Sequence, residues 1–352
     1  MSSTFGRVLR VTTFGESHGP ALGGVVEGVP SGLPLRCEDL QRDLDRRRPG
    51  QSAVTTQRQE ADRVEILSGV FEGITTGTPV GFLVRNQDAQ SKDYDAIREV
   101  FRPGHADFSY FVKYGHRDHR GGGRASGRET LCRVAAGAIA RRMLEPEGVA
   151  VQAYTTRIGN IEAVRRDYEE AERNVVRAPD AEAAARMAEL LVTLREEGDS
   201  VGGIVEVVAR NVPAGLGDPV MDKLDAVLAM AMMSIGTIKG VEIGDGFEAT
   251  RLRGSQAHDA MDASGFRSNH AGGILGGIST GQDIVMRLAI KPTSSLRVPQ
   301  ASVDTAGREI TVVTEGRHDP CVCPRVVPVA EAMMALTLAD AWLVQKTVRA
   351  LG

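Results

Sequence analysis

Three consecutive glycines, Gly121 to Gly123, stand inside the segment of this chain richest in arginine and histidine: RPGHADFSYFVKYGHRDHRGGGRASGRET, residues 102 to 130. Arg117, Arg120, Arg124 and Arg128 alternate there with His116 and His119, and Asp118 and Glu129 are the only acids after Asp107. Glycines let backbone approach a ligand closely, and guanidinium forks match phosphate and carboxylate oxygens. Beyond the glycines, Leu131, Val134, Ala135, Ala138, Ile139 and Met143 recur at spacings of three and four. That period predicts a helix, so the loop feeds a helix N-terminus whose free N–H groups add to the arginine field. The segment therefore reads as an anion-holding loop around which the rest of the chain is arranged.

A net charge of −4 argues against bulk nucleic-acid binding, so positive charge matters only locally. Thirty-six of the 42 basic residues are arginine and six are lysine, which makes each retained lysine informative. No apolar run in the sequence suggests a membrane span, and MSSTFGRVLRVTTF lacks the apolar core of a signal peptide. The expectation is a cytoplasmic protein without membrane or nucleic-acid partners. Cys37, Cys132, Cys321 and Cys323 are too few and too oddly spaced for a disulfide framework.

Taken in order, GRVLRVTTFGESHG predicts a strand entering a tight turn at Gly15, Glu16, Ser17, His18 and Gly19. The turn matches G-x-S-x-G, but a nucleophile elbow needs a helix directly after the serine. PALGGVVEGVPSGLP predicts a second strand and turn instead. Residues 38 to 48 predict a short helix with acids early and Arg46, Arg47 and Arg48 late. Two apolar runs between Val64 and Asn86 predict an antiparallel pair. Residues 150 to 178 show no usable periodicity. Asp180 to Glu197, closed by Gly198, predicts a surface helix, and GGIVEVVAR a strand. The next helix is expected to be capped by Asp218, with Pro219 in its first turn, Gly236 beyond its end, and Met230, Met232 and Met233 in the core. Lys239 and Glu242 fall in a strand, another strand spans Asp283 to Ile290, and a long helix is expected to open at Pro328. GVFEGITTG (69 to 77) and GILGGISTG (273 to 281) share glycine spacing, pointing to a duplicated sheet-and-helix unit.

All seven histidines, at 18, 105, 116, 119, 258, 270 and 318, fall in turn-like segments, which favours at least one acid–base role. His318, Asp319, Cys321 and Cys323 superficially suggest zinc, but Cys37 and Cys132 lie too far away to complete a recognisable ligand spacing. Arg317, His318 and Asp319 instead offer a cation, a proton carrier and a carboxylate. KPTSS, residues 291 to 295, places a lysine and three hydroxyls at a strand end, suited to wrapping a phosphate or heterocycle edge.

FGESHG (14 to 19), GGGRASGRET (121 to 130) and RHDPC (317 to 321), with RPGHAD, SNHAGGILGGIS and KPTSS between them, resemble the motif set of chorismate synthase, in register from about Gly6 to Met334. The resemblance implies a single α+β domain over residues 1–352, its helices sandwiched between antiparallel β-sheets with internal pseudo-symmetry, assembled as a homotetramer. It implies a carbon–oxygen lyase that converts 5-enolpyruvylshikimate 3-phosphate to chorismate and phosphate by 1,4-elimination, using reduced FMN without net redox change, in aromatic amino acid biosynthesis. By motif, His18 resembles the acid that meets the leaving phosphate, and His105 the group that protonates the reduced flavin. Asp319 resembles the residue acting with flavin N5 on the ring proton, and Ser17 its neighbour. Flavin contacts would fall on Arg124, Ala125, Ser126, Gly236, Thr237, Gly276, Lys291, Pro292, Thr293, Ser294, Ser295 and Arg317. Arg47 and Arg48 resemble an anion site sometimes assigned to NADPH, and Arg128 is expected to hold substrate. Ala53, Gly127 and Gly236-Thr237 stand where the family commonly has arginine, alanine and Asn-Ala. From the residues alone, a serine hydrolase built on Ser17 and a polyanion-binding protein built on the arginine loop stay open, as does the need for an external flavin reductase.

Overall fold

The computed structural model describes residues 3–48, 60–87, 97–314 and 319–348. Two five-stranded sheets, antiparallel throughout, form its frame. The first contains β1 (Thr4–Phe5), β2 (Arg10–Gly15), β3 (Ala21–Glu27), β4 (Val64–Ile66) and β7 (Val80–Arg85), in the order β1-β2-β3-β7-β4. Between its members lie α1 (Cys37–Arg47) and a small hairpin, β5 (Val70–Phe71) with β6 (Ile74–Thr75). Next come α2 (Asp107–Tyr114) and α3 (Thr130–Leu144). The second sheet contains β8 (Ala150–Ile158), β9 (Ile161–Glu162), β10 (Gly203–Arg210), β11 (Ile238–Ile243) and β16 (Ile284–Ile290), in the order β11-β16-β10-β8-β9. Helices α4 (Tyr168–Arg173), α5 (Ala181–Glu197) and α6 (Leu224–Met233) and hairpins β12 (Met261–Asp262) with β13 (Gly265–Phe266) and β14 (Ile274–Leu275) with β15 (Ile278–Ser279) are inserted into it. A last hairpin, β17 (Gln300–Val303) with β18 (Glu309–Val312), precedes α7 (Cys323–Val348).

The repeated glycine motifs have the same conformation. Thr76 N donates to Gly69 O at 3.0 Å, and Thr280 N to Gly273 O at 2.9 Å. Thr75 Oγ1 accepts from Leu33 N at 2.9 Å and donates to Pro30 O at 2.6 Å; Ser279 Oγ accepts from Leu216 N at 2.8 Å and donates to Pro213 O at 2.7 Å. Even the left-handed turn residue is matched, Glu72 at φ 51° and Gly276 at φ 61°.

Helix α3 packs on β2 and β3, α7 packs on β8 and β10, and the two helices pack on each other. Their close approach depends on Gly137, where a Cβ would lie 2.4 Å from that of Ala332. One hydrophobic cluster runs through both sheets and these helices. Inside it, Glu331 of α7 accepts from Arg46 of α1 at 2.5 Å, Arg141 of α3 at 3.2 Å and the Ala153 amide of β8 at 3.0 Å. Helix α7 is long and apolar enough to cross a membrane, unlike the expectation from sequence, but 83% of its apolar window is buried within the fold.

Helix α5 has the expected ends, with Asp180 accepting from Glu182 N and Ala183 N and Gly198 left-handed at φ 75°. Helix α6 does not start at Asp218. Val220 is left-handed at φ 74°, and Asp218 and Asp222 are turned onto Arg7 at 3.2 and 2.9 Å. Only Met232 of its methionines is core; Met230 is 57% and Met233 47% exposed. Helix α7 opens at Cys323, with Pro324 in its first turn and Pro328 inside it. Residues 150 to 158, unreadable by period, form β8, flanked by β10 and β9. Tyr154, Thr155 and Thr156 are buried in succession, which erases the alternation of a half-buried strand.

Candidate active site

A cleft of about 2000 Å³ opens where the two sheet units meet, lined by the loop from Arg102 to Thr130, the 15–19 turn at Glu16, the end of α6, Lys239, residues 291–295 and the start of α7. The turn joins β2 to β3, a strand, so the elbow geometry is absent. Asn86 fixes that turn: its Nδ2 donates to Gly19 O at 2.6 Å and Glu16 O at 3.1 Å, while its Oδ1 accepts Arg128 Nε at 2.6 Å.

Gly121 and Gly122 bring three candidate residues together. Both are left-handed, at φ 64° and 92°. A Cβ on Gly121 would lie 2.4 Å from His18 Cδ2 and 2.8 Å from Ser17 Oγ; one on Gly122 would lie 2.8 Å from His105 Cε1. Ser17, His18 and His105 therefore pack directly on bare backbone that no other residue type could supply. Ser17 is buried and donates to Arg120 O at 3.4 Å.

His105 Nδ1 lies 2.9 Å from Asp107 Oδ1, whose carboxylate also takes Arg102 and Arg117. Arg102 Nη2 stands 3.1 Å from the same Nδ1; in the tautomer whose Nδ1 donates to Asp107, Nε2, the nitrogen beside Gly122, is the proton-accepting position. Burial, with repulsion from Arg102 and Lys291, outweighs Asp107 and lowers the His105 pKa. A folded-state value below that of the unfolded chain means the unfolded chain takes up the proton first as pH falls. Stability contributed by His105 is therefore present above about pH 6.5 and declines as pH drops through the folded-state value. Urea midpoints measured from pH 7.5 to 5 should fall, and His105→Gln should flatten that slope; an unchanged slope would show that His105 is not held neutral.

Asp319 is buried and accepts Arg325 Nη1 at 2.6 Å, while its carbonyl takes Thr293 Oγ1 at 3.1 Å. Lys291 Nζ donates to Gly104 O at 2.7 Å, tying the KPTSS segment to the loop that carries His105. Arg47 and Arg128 line the cleft but turn inward onto Asp62, at 3.4 and 2.9 Å. Burial and the nearby Arg325 and Arg128 pull Arg47 down to about 9 against the attraction of Asp62. Arg124 spends its guanidinium on Gly15 O and Thr13. Ala125, Ser126, Gly236, Thr237, Pro292, Ser294 and Ser295 also line the cleft. Ser17, His18, Arg48 and Gly276 do not; Ser17 and His18 pack on Gly121, which does, and Gly276 is the turn residue of β14–β15. Arg317, His318 and Ala53 lie outside the described residues. A Cβ on Gly127 would meet nothing, so its difference from alanine leaves the wall unchanged.

Sequence reasoning missed Asn86, Arg102, Arg325 and Arg133, which reaches Glu129 at 3.0 Å and Ser234 Oγ at 2.5 Å. Only Arg102, three residues before His105, carried a local signal. Each arginine lining the cleft is ion-paired with a carboxylate.

A solved structure titled "Crystal Structure of Chorismate Synthase" is 36% identical to this chain and superposes with a TM-score of 0.77, covering 97% of this chain and 93% of that one. The family model described as Chorismate synthase matches residues 9–343. With nearly the whole length matched in sequence and in fold, the chain belongs to the chorismate synthase family.

Proposed function

We propose that the chain eliminates phosphate from 5-enolpyruvylshikimate 3-phosphate to yield chorismate, with reduced FMN and no net redox change. The observation that carries this reading is the packing of Ser17, His18 and His105 on Gly121–Gly122, at the edge of a cleft that also holds Asp319. A departing phosphate needs a proton donor, which His18 provides, and its charge needs the positive field of the cleft. His105, anchored through Nδ1, moves a proton at Nε2, and Asp319, held by Arg325, stands as the carboxylate acting on the ring proton. Ser17 fixes the turn that presents His18.

The residues present fit a flavin mononucleotide. Thr237 Oγ1 is buried without a hydrogen-bond partner, Gly236 is open, and the hydroxyls of residues 293 to 295 lie beside them. Reduced FMN held there by Thr237, Lys291 and the KPTSS segment would supply electron-rich chemistry without being consumed. Arg47 and Arg128, locked on Asp62, position the wall rather than reach far into the cleft, and Arg48 serves a reduced nicotinamide only from outside it. The continuous core supports a single catalytic domain, and the shared order of four strands (β2-β3-β7-β4 and β8-β10-β16-β11) and the matched hairpins support an internal duplication with α3 and α7 sandwiched between the sheets. A cytoplasmic homotetramer, supplied with reduced flavin by NADPH or an external reductase, completes the proposal.

Anaerobic incubation with photoreduced FMN and the substrate should release phosphate and chorismate in equal amounts, with NADPH replacing light only if the chain reduces its own flavin. Substrate that stays intact beside bound reduced FMN would sink the reading. Labelling of Ser17 by a phosphonate would favour a hydrolase instead.

A further inference from the structure

Two acids in the cleft wall face each other, and the proposed reaction uses neither. Glu16 lies in the turn that carries Ser17 and His18, and Asp118 lies in the arginine loop. They meet at Gly123, where a Cβ would lie 3.6 Å from Asp118 Cβ and 3.8 Å from both Glu16 Cδ and Glu16 Oε1. The two carboxyl groups share a hydrogen bond. Such a bond requires a proton on one of them, because an ionised carboxylate only accepts.

The surrounding contacts decide which one holds it. Asp118 Oδ1 accepts Arg120 Nε at 2.8 Å and the Arg120 backbone N at 3.0 Å, while Oδ2 accepts Arg120 Nη2 at 2.9 Å. A carboxyl that takes a guanidinium fork and a backbone N–H is held ionised. Glu16 has no ion pair among the described residues, and Arg120 and Arg124 act on it only as neighbouring charges. Burial and the Asp118 carboxylate raise the Glu16 pKa against those two arginines, whereas burial of Asp118 is outweighed by the Arg120 bonds, which lower its pKa. From α2, Tyr110 also faces Glu16.

Arg120 joins this pair to the histidine. Its side chain is spent on Asp118, its carbonyl accepts Ser17 Oγ at 3.4 Å, and the next residue, Gly121, is the backbone on which His18 rests. We propose that Glu16 is a positioning residue for His18: as a neutral carboxylic acid it donates to ionised Asp118 and latches the 15–19 turn onto the arginine loop. The assignment rests on the proposed reaction, in which His18 meets the departing phosphate. Glu16 is raised above its ordinary 4.5, so the stability it lends is fully present below that value and is lost as pH rises through the folded-state value. Asp118 sets the acid limit, its contribution being lost as pH falls through its lowered folded-state value. An anionic substrate adds negative charge to the same cleft and holds the proton on Glu16 more firmly, so the latch tightens on binding.

The test uses the intact protein. Glu16→Gln keeps a donor to Asp118 and should turn over close to the wild-type rate, while Glu16→Ala loses one charge-assisted hydrogen bond and should lower kcat by roughly 10- to 100-fold. Infrared difference spectra of the wild type against Glu16→Gln, recorded without ligand, should show the carbonyl band of a protonated carboxylic acid at pH 5 that fades as pH is raised to 8. Asp118→Asn should move that fading to lower pH, and 5-enolpyruvylshikimate 3-phosphate should move it to higher pH. The band and Glu16→Gln decide the matter even if Glu16→Ala misfolds. Absence of the band, or a Glu16→Gln variant as slow as Glu16→Ala, overturns the proposal. A band that follows Asp118 as expected, in a protein that releases no phosphate from the substrate, would sink the proposed reaction and leave the shared proton standing.

Discussion

Replacing His18 by alanine should lower kcat by about 10²- to 10⁴-fold, the range expected when a general acid is lost. The imidazole rests on the Gly121 backbone, and its removal leaves the turn held by Asn86 and by the Gly19 N to Glu16 O bond at 3.1 Å. Fold and flavin binding should therefore survive, so the loss appears in turnover. Gly121→Ala should mimic it with both histidines intact, because its Cβ would displace His18 and the backbone is left-handed. His18→Ala turning over at the wild-type rate from pH 6 to 8 would assign the proton to another group.

The largest effect on stability is expected at Glu331. Its carboxylate is buried on α7 between Arg46 and Arg141 and also takes the Ala153 amide. Burial alone would raise its pKa, but the two guanidinium groups hold it below the usual range. Removing one member of a buried ion network leaves the other charges uncompensated and typically costs about 3–5 kcal/mol. Glu331→Ala should lose stability on that scale in urea unfolding. Glu331→Gln, which keeps an acceptor for the Ala153 amide, should lose less than Glu331→Ala; removing the arginines as well should not rescue the fold, because Arg141 also meets the buried Asp43 at 3.5 Å and Arg46 meets Glu172 at 2.6 Å. A cost under about 1 kcal/mol for Glu331→Ala would mean that water reaches the network.

What could be read before the fold was known follows a physical divide. Local signals were legible: the Asp180 and Gly198 caps of α5, the apolar period of α3, the β2 turn and the glycine spacing that proved to be two hairpins of one shape. Signals that depend on distant partners were not. β8 is covered on both sides, so its buried Tyr154, Thr155 and Thr156 carry no period. Asp218 looked like a cap but is turned onto Arg7, over two hundred positions earlier in the chain. Pro328 looked like a helix start because Pro324, a better one, stands beside the cysteines of a polar turn. Within the site, the turn and loop motifs were legible and some of their supports were not: Asn86 and Arg133 act through contacts that appear only once the 15–19 turn, the arginine loop, α3 and the end of α6 meet.

The position of α7 also governs when the protein can begin to work. As the chain leaves the ribosome, both sheets can emerge before Asp319, Arg325 and the apolar face that fills the space against α3. Until that last helix docks, the nascent protein carries two sheets with uncovered inner faces and a half-built cleft. It is at this stage that it would be most exposed to aggregation and most dependent on chaperones. Closure of the cleft is thus withheld until α7, the last element described, has been made.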